Sequence, residues 1–335
     1  MYNFCTLFNS LYLSRGLAMH TSLAKTCSNF HLYIFAFDDL CYKTLKQLNL
    51  SCVTVISLNE FEDPTLLKIK PSRTAGEYCW TCTPSTILYC IDSYKLENCT
   101  YIDADLYFFS DPAVLFDELG NASVMITDHR YTPGYDQSAT YGKYCVQFIT
   151  FKNDSNGLRV LNWWRDACIE WCYNRVEDNK FGDQKYLDNW TTKFEGVHEL
   201  QHLGGGVAPW NIQQYDTELI NGKLIGKEKA TGLKFDFVFY HYHHYKYLVG
   251  KGCHLGYYEI DMKTVGLIYG PYVAALQQAD KTLKQINRSH LFHEEMEVPR
   301  LRKSLRRKYL YYIKGRFRKY YKQSYILKHG ASTKP

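Results

Sequence analysis

From Asn3 to Thr127, predicted strands and helices alternate, and this alternation constrains the fold more than any other feature of the sequence. Near-continuous apolar runs such as His31–Phe37 and Cys52–Leu58 are typical of strands buried on both faces. The pattern predicts an α/β domain with a mostly parallel sheet flanked by helices, whose ligands bind beyond the carboxyl ends of the strands. Strands are also predicted over Asn3–Leu7, Thr100–Asp103, Ser123–Thr127 and Tyr144–Phe151, and helices over Leu13–Ser28, Pro84–Tyr94 and Leu158–Arg175.

A pair of acidic residues follows directly on one of these strands. In the segment TYIDADLYFFSDP, Asp103 and Asp105 flank Ala104 where the apolar run ends. Residues i and i+2 at a strand end can both face one ion as the chain bends. Hard divalent cations such as Mg²⁺ or Mn²⁺ prefer oxygen ligands and keep positions open for phosphate oxygens. The pair therefore indicates a metal site that could neutralise a diphosphate, and an acidic turn that caps a helix is the alternative interpretation.

The cysteines favour a chain that stays in a reducing compartment. Twelve cysteines are spread over the whole length, and the sequence begins with no recognisable signal peptide. The pairs Cys79/Cys82 and Cys168/Cys172 could be a redox motif or zinc ligands. Buried free thiols are the favoured interpretation, because free cysteine usually behaves as a small apolar residue.

The basic charge is concentrated at the carboxyl end of the chain. Residues 299–335 contain 13 Lys and Arg and no Asp or Glu, whereas the rest carries 27 basic and 34 acidic residues, a net of −7. Apolar residues recur every third or fourth position from Leu301 to Leu327, which predicts one basic amphipathic helix. Such a helix suits an anionic membrane surface. Nucleic acid is the rival partner, and a helix docked on the acidic body is a third alternative.

The stretch around Asp103 and Asp105 resembles the DxD motif of nucleotide-sugar glycosyltransferases with the GT-A fold. Further segments agree in chain order with the retaining branch of family 8, which includes glycogenin and bacterial lipooligosaccharide galactosyltransferases. These segments are GEYCWTCTPS at 76–85, Gly182-Asp183-Gln184, Pro209-Trp210-Asn211 and FYHYHHYK at 239–246. The resemblance spans residues 3 to about 247. It implies a GT-A Rossmann-like sheet, a Mn²⁺ or Mg²⁺ cofactor and retaining transfer from a nucleoside-diphosphate sugar, with a UDP-sugar favoured.

The resemblance also implies roles for individual residues. Asp103 and Asp105 would bind the metal with His241 as third ligand, for which His243 is the alternative. Asp183 and Gln184 would be catalytic residues at the reacting sugar, although a loop followed by a helix N-cap is the alternative interpretation for Asp183. The remaining donor contacts would come from Thr6, Asn9, Tyr12, Arg73, Ala104, Gln147 and Lys246. His202 and Trp210 would line the acceptor or sugar pocket, since aromatic faces stack on sugars, although core packing is an equal interpretation for Trp210.

These patterns predict a catalytic domain over residues 1–270, a helical extension over 271–298 and a basic membrane-association tail over 299–335. Within the first, a two-residue hairpin turn is predicted at Asn221–Gly222. We expect a cytoplasmic enzyme on the inner face of the cytoplasmic membrane that glycosylates a lipid-linked or cell-surface polysaccharide precursor, with the membrane surface preferred to nucleic acid as partner. Two alternatives stay open: a metal-dependent nuclease or nucleotidyltransferase whose tail binds nucleic acid, and a non-catalytic membrane adaptor.

Overall fold

A computed structural model of the chain describes residues 1–297 and 304–331, and its amino-terminal half is built on a seven-stranded sheet. The first eight strands are β1 Tyr2–Phe8, β2 Phe30–Ala36, β3 Val53–Ser57, β4 Asn98–Ile102, β5 Leu106–Phe108, β6 Val124–Asp128, β7 Tyr144–Lys152 and β8 Val197–Glu199. The strand order is β3-β2-β1-β4-β7-β6-β8, and β7 runs antiparallel to both of its neighbours while the other pairs are parallel. The predicted mostly parallel α/β sheet is therefore confirmed.

Helices cover both faces of this sheet. The α-helices of the described residues are α1 Leu13–Thr26, α2 Asp39–Leu48, α3 Leu58–Phe61, α4 Pro64–Ile69, α5 Ala75–Tyr94, α6 Ala113–Leu119, α7 Ser138–Tyr141, α8 Ser155–Glu170, α9 Trp190–Lys193, α10 Met262–Thr264, α11 Gly270–Ile286, α12 Leu305–Tyr312 and α13 Gln323–Ala331. Alternate side chains of β1 enter two separate cores, because successive residues of a strand point to opposite faces. Cys5 and Leu7 pack with residues of α5 and α8, whereas Phe4 and Phe8 pack with residues of α1 and α2.

All three predicted helices have different bounds in the structure, and α1 ends at Thr26 instead of Ser28. Helix α5 begins at Ala75 instead of Pro84, since Thr74 and Glu77 form a reciprocal capping box that fixes an earlier start. Pro84 lies inside the helix. Helix α8 ends at Glu170 instead of Arg175, and its first residue follows the capping side chain of Asp154.

Nine short strands follow β8 in the described part of the chain. They are β9 Tyr215–Ile220, β10 Lys223–Glu228, β11 Lys234–Asp236, β12 Phe239–His241, β13 Lys246–Leu248, β14 Gly252–His254, β15 Glu295–Met296, β16 Arg316–Phe317 and β17 Tyr320–Lys322. Strands β9 and β10 form the hairpin predicted at Asn221–Gly222, where both turn residues have the positive φ of a type I′ turn. Strand β12 pairs antiparallel with β5, which directly follows the acidic pair.

The prediction of one helix over Leu301–Leu327 is wrong for the residues described. Helix α12 ends at Tyr312, and Gly315 then adopts a φ of +79°, which suits glycine and breaks the helical run. The chain forms the β16–β17 hairpin, and β17 adds to β14 in a five-stranded sheet of order β15-β13-β14-β17-β16. Residues 299–303 and 332–335 of the predicted tail, Leu301 among them, lie outside the described residues, as does residue 298 of the predicted extension.

The carboxyl-terminal helix packs against a π-helical turn over Val265–Tyr269. Glycines make this approach close: a Cβ on Gly330 would lie 2.8 Å from the carbonyl oxygen of Gly266. Tyr321 and Ile326 are buried in the same core as residues of α11. These contacts fasten the last described helix to the body of the protein.

Twelve free cysteines are present, and ten of them are buried, in agreement with the favoured interpretation. Cys5, Cys90 and Cys99, from β1, α5 and β4, place their sulfur atoms within 4.8 Å of one another, and we call them the thiol cluster. Within the described parts of the chain, no helix combines the length and the hydrophobicity needed to cross a bilayer.

Candidate metal and sugar-nucleotide site

Asp103, Asp105 and His241 meet at the carboxyl end of β4, and we call them the carboxylate–histidine cluster. Their ligand atoms lie within 4.8 Å of one another. His241 Nε2 is 3.2 Å from Asp105 Oδ1 and 3.6 Å from Asp103 Oδ2. The β5–β12 pairing creates this contact, because it sets His241 opposite Leu106 in the register, and the Tyr242 amide donates to the Asp105 carbonyl.

The three residues of the cluster shift one another's pKa values. Burial raises the pKa of Asp103 to about 6, although His241 acts in the opposite direction. The pKa of Asp105 falls to about 2 because the charge and hydrogen bond of His241 outweigh its burial. Conversely, Asp105 and Asp103 raise the pKa of His241 despite its burial. One imidazolium thus balances part of the charge of two carboxylates that lie close together.

This donor set fits a divalent cation. Two carboxylates and one imidazole nitrogen suit Mn²⁺ better than Mg²⁺, which favours oxygen ligands alone. The side chains of Asp103 and Asp105 are 29% and 16% exposed, so the carboxylates are reached from outside the core. The His241 ring is nearly buried, and its Nδ1 atom has no hydrogen-bond partner in the structure. A cation held here would leave coordination positions open towards solvent.

His243, the alternative third ligand, lies outside the cluster. Its ring centroid is 5.6 Å from that of His241 and 5.3 Å from that of Trp210. Burial and the charge of His241 lower its pKa well below the usual range, so the ring is neutral at neutral pH. The structure therefore brings His241, and not His243, to the two carboxylates.

Asp183 lies next to the carboxylate–histidine cluster. It is 6% exposed, and burial together with the Asp103 carboxylate raises its pKa to about 7. The preceding Gly182 has a φ of +52° and packs against the ring of Trp80. Gln184 points elsewhere, since its side-chain amide donates to the carbonyl of Tyr141 over 2.7 Å. Of the two residues predicted at the reacting sugar, Asp183 is thus the one that interacts electrostatically with Asp103.

Two buried polar side chains near the strand ends lack partners. Gln147 is fully buried, and neither atom of its amide has a hydrogen-bond partner. Its backbone carbonyl accepts from the Asp103 amide over 3.0 Å, which places it beside the cluster. Thr6, on β1, is also fully buried with an unpartnered hydroxyl. Unpaired buried polar atoms are rare and destabilising, so these side chains are suited to bind a ligand.

The loop after β1 brings Tyr12 towards Asp105, whereas Asn9 has a local role. The Asn9 carboxamide oxygen accepts from the Leu11 amide and caps a short 3₁₀ helix. Burial and the Asp105 carboxylate raise the pKa of Tyr12 to about 12. Arg15, which the sequence interpretation missed, lies 4.4 Å from the Tyr12 ring centroid and lowers the pKa of Asp105 as a minor cause. The periodicity of α1 gave no signal for it, because Arg15 is two residues from both Leu13 and Leu17 and so lies on another face of the helix.

Arg73 and Lys246 have other contacts. The Arg73 guanidinium donates to the Ile169 carbonyl over 3.2 Å and stacks on Tyr173 at the end of α8. Lys246 lies on β13 opposite His254, whose pKa falls to about 4 through burial and the nearby ammonium. Their described hydrogen bonds, ion pairs and ring contacts do not include members of the carboxylate–histidine cluster.

Trp210 and His202 belong to the frame around the cluster. Trp210 is 3% exposed, donates from Nε1 to the His129 carbonyl, and presents its ring to His241 at 5.4 Å. The backbone amide of His202 donates to the Glu118 carboxylate, and its Nδ1 accepts from the Gly204 amide. Both residues therefore carry structural contacts, and Trp210 also touches the predicted third ligand. Ala104 lies between the two carboxylates and is buried.

The chain is similar to other proteins in sequence and in structure. No protein-family model matches the chain. Over 286 residues it is 33% identical to the uncharacterized protein YfnD of Bacillus subtilis (strain 168), which covers 83% of this chain and 89% of YfnD. The structure of the bifunctional glycosyltransferase WbbM superposes with a TM-score of 0.50 at 14% identity, covering 84% of this chain and 51% of WbbM. The galactosyltransferase LgtC, in complex with donor and acceptor sugar analogues, matches with a TM-score of 0.40 at 13% identity over 59% of this chain and 72% of LgtC.

Proposed function

Because the chain belongs to the family of Bacillus subtilis YfnD and has the GT-A fold, we propose that it is a divalent-metal-dependent glycosyltransferase that uses a nucleoside-diphosphate sugar. The carboxylate–histidine cluster is the observation that carries the proposal. It lies at the carboxyl end of a central strand, where α/β sheets bind their ligands. A UDP-sugar is the favoured donor, and a hydroxyl of a lipid-linked or cell-surface glycan precursor is the favoured acceptor.

Three residues would hold the ion. Asp103 and Asp105 offer carboxylate oxygens and His241 offers Nε2, which faces both carboxylates. Bound Mn²⁺ would neutralise charge that develops on the diphosphate leaving group. Since His241 must lose its proton to act as a ligand, ion binding and proton release are coupled at this site.

The neighbouring residues would orient the sugar. The unpartnered amide of Gln147 supplies a donor and an acceptor that match sugar hydroxyls. Asp183 is buried beside Asp103, and its carboxylate would stabilise positive charge that develops at the anomeric carbon. Tyr12 would close the nucleotide side of the site. Retention of the anomeric configuration rests on the family resemblance.

Nucleotide titration tests the proposal. Calorimetry would measure the binding of UDP and GDP with and without Mn²⁺ to the wild-type chain, to the Asp103→Ala/Asp105→Ala variant and to an Asp117→Ala/Asp216→Ala control. The control removes two exposed carboxylates and so matches the change in net charge. We expect Mn²⁺-dependent UDP binding that the first variant loses and the control keeps. No nucleotide binding by the wild-type chain with any divalent metal would refute the donor assignment.

We further propose that helix α12 binds an anionic membrane. Leu305, Tyr309, Tyr312 and Ile313 recur at positions i, i+4, i+7 and i+8 and are 51–86% exposed. Residues 304–331 contain nine Lys and Arg and no acidic residue. An exposed apolar stripe within basic sequence suits the headgroup region of anionic lipid. Because the rest of the described tail packs on the body, α12 is the part available for this contact.

Vesicle flotation separates the two candidate partners of α12. We expect the wild-type chain to bind vesicles of phosphatidylglycerol and phosphatidylcholine, and the Leu305→Ser/Tyr309→Ser/Ile313→Ser variant to lose binding with all of its basic residues intact. Because the variant loses only apolar side chains, loss of vesicle binding would show that α12 inserts into the bilayer surface and is not held there by charge alone. Equal vesicle binding by both proteins, or salt-sensitive binding to duplex DNA in preference to vesicles, would overturn the membrane assignment.

A further inference from the structure

Arg130 binds one loop of the site through an unusually large number of carbonyl groups. Its guanidinium Nη2 donates to Gly205 over 2.9 Å and to Leu200 over 3.2 Å, while Nη1 donates to Leu203 over 3.3 Å. Both nitrogens also lie 3.4 Å from the carbonyl oxygen of His202. The Arg130 guanidinium thus contacts four carbonyl oxygens within residues 200–207. We call residues 200–207 the glycine loop.

The backbone of Arg130 is itself held in place. Its φ of +46° is in the left-handed region, which non-glycine residues adopt rarely. The Asp128 carboxylate accepts from its amide over 2.7 Å, and the Gln214 side chain donates to its carbonyl over 2.7 Å. The guanidinium is therefore presented to the glycine loop from a fixed point at the end of β6.

The glycine loop in turn fixes the strand that bears His241. The Gly204 carbonyl accepts from the amides of Val238 and Phe239 over 3.0 and 3.2 Å, and the Val207 carbonyl accepts from the His241 amide over 2.9 Å. Strand β5 holds the opposite edge of β12. The backbone of His241 consequently lies between the strand that follows the acidic pair and the loop that Arg130 organises.

The same loop also forms a wall beside Gln147. Gly206 has a φ of +95°, and a Cβ there would lie 2.6 Å from the Thr127 side chain and 3.3 Å from Gln147 Nε2. Glycine is thus required both by backbone conformation and by close approach. Three consecutive glycines would otherwise carry a large conformational entropy, and the carbonyl contacts of Arg130 oppose that freedom.

We propose that Arg130 is a positioning residue for the metal site, which it controls through the glycine loop and the backbone of His241. The inference rests on the proposed metal-binding function. Lysine cannot replace the planar fork of five N–H donors that spans several carbonyls at once. Supporting groups behind metal ligands commonly contribute 10–100-fold to metal affinity. Loss of Arg130 is thus expected to weaken metal binding by about tenfold, within the range typical of such outer contacts.

Metal affinity with chemical rescue tests this role. The Mn²⁺ dissociation constant would be measured by electron paramagnetic resonance for the full-length wild-type chain, for Arg130→Ala and Arg130→Lys, and for an Arg175→Ala control. Arg175 is an exposed arginine paired with Glu177. We expect about tenfold weaker binding for both Arg130 variants, unchanged binding for the control, and partial recovery of Arg130→Ala with guanidinium ion at non-denaturing, millimolar concentration.

The results for the Arg130 variants test the positioning role, whereas the result for the wild-type chain tests the metal site on which that role depends. A purely structural role for Arg130 would lower thermal stability without moving the Mn²⁺ affinity of the folded fraction, and guanidinium would then rescue nothing. Wild-type affinity in folded Arg130→Lys would overturn the positioning role even if Arg130→Ala fails to fold. Absence of Mn²⁺ binding by the wild-type chain would instead refute the proposed metal site.

Discussion

Among the residues that the structure describes, two groups of three potential metal ligands lie in opposite surroundings. Within the carboxylate–histidine cluster, the three ligand atoms lie within 4.8 Å of one another, and the same holds within the thiol cluster. The first joins two acids to a base at the end of β4, and its carboxylates are partly exposed. The second lies among apolar side chains of the core, and each of its three residues is 0% exposed.

The difference shows that proximity alone does not define a metal site. In the carboxylate–histidine cluster, opposite charges compensate one another, and the two carboxylates are partly exposed. In the thiol cluster, burial raises the pKa of Cys90 and Cys99 well above the usual range, so these two groups stay neutral thiols. Burial also acts to raise the pKa of Cys5, but hydrogen bonds with Cys90, Cys99 and Thr86 lower it to about 5. Neutral buried thiols act as small apolar residues. One cluster is therefore suited to bind a ligand, and the other to pack the core.

Removing one carboxylate should have the largest effect on metal binding. For Asp103→Asn we expect the Mn²⁺ affinity to fall at least about 100-fold, beyond the range typical of outer supporting groups. The amide keeps the shape of the side chain and loses its charge. Calorimetric titration of Mn²⁺ measures the change, and Asp117→Asn is the matched exposed control. Unchanged affinity in Asp103→Asn would place the ion elsewhere.

The two neighbouring histidines should differ in their effect. For His241→Asn we expect roughly tenfold weaker Mn²⁺ binding, because one nitrogen ligand of three is lost. For His243→Asn we expect less than a twofold change, since its ring lies outside the cluster. The same titration compares the variants. The reverse order would make His243 the third ligand and contradict the observed geometry.

Disturbing the thiol cluster should affect stability and spare metal binding. For Cys99→Ala we expect about 1–2 kcal/mol lower free energy of unfolding, because removal of a buried sulfur leaves a small cavity. Mn²⁺ affinity is expected to stay at the wild-type value. Urea denaturation and Mn²⁺ titration of the same sample give both quantities. A stability unchanged by the substitution, or a large loss of Mn²⁺ affinity, would contradict the packing role.

The smallest expected effect is a difference in thiol accessibility. Cys52 is exposed, whereas the members of the thiol cluster are fully buried. In the native protein we expect one thiol to react rapidly with a disulfide reagent, and the cluster to react after unfolding. The Cys52→Ser variant should lose the rapid phase. Rapid native modification of Cys90, located by peptide mass spectrometry, would show that the core opens readily.

Local patterns predicted the parts of the fold that depend on neighbours in sequence. The apolar runs predicted the parallel strands, and the strand end before Asp103 predicted where the carboxylates lie. The position of His241, the third member of the cluster, could not be predicted in this way, because it reaches the carboxylates through the β5–β12 pairing. The family resemblance, and not the local pattern, pointed to it. Asn221–Gly222 was predictable because its turn chemistry is contained in two residues.

Long-range contacts explain what sequence interpretation missed. The basic tail carries a helical pattern, yet the pairing of β17 with β14 and the turn at Gly315 override it. Arg130 gave no local signal, because its role depends on carbonyls that are distant in the chain. The Gln184 amide donates to the Tyr141 carbonyl, a contact between residues 43 positions apart that no local pattern indicates.

Anomalous X-ray scattering at the manganese edge would show where the ion binds. Crystals of the wild-type chain grown with Mn²⁺ and UDP should show a single strong peak bounded by Asp103, Asp105 and His241, with UDP phosphate oxygens on its open side. A strong peak at the thiol cluster, or ordered UDP far from the carboxylate–histidine cluster, would contradict the account.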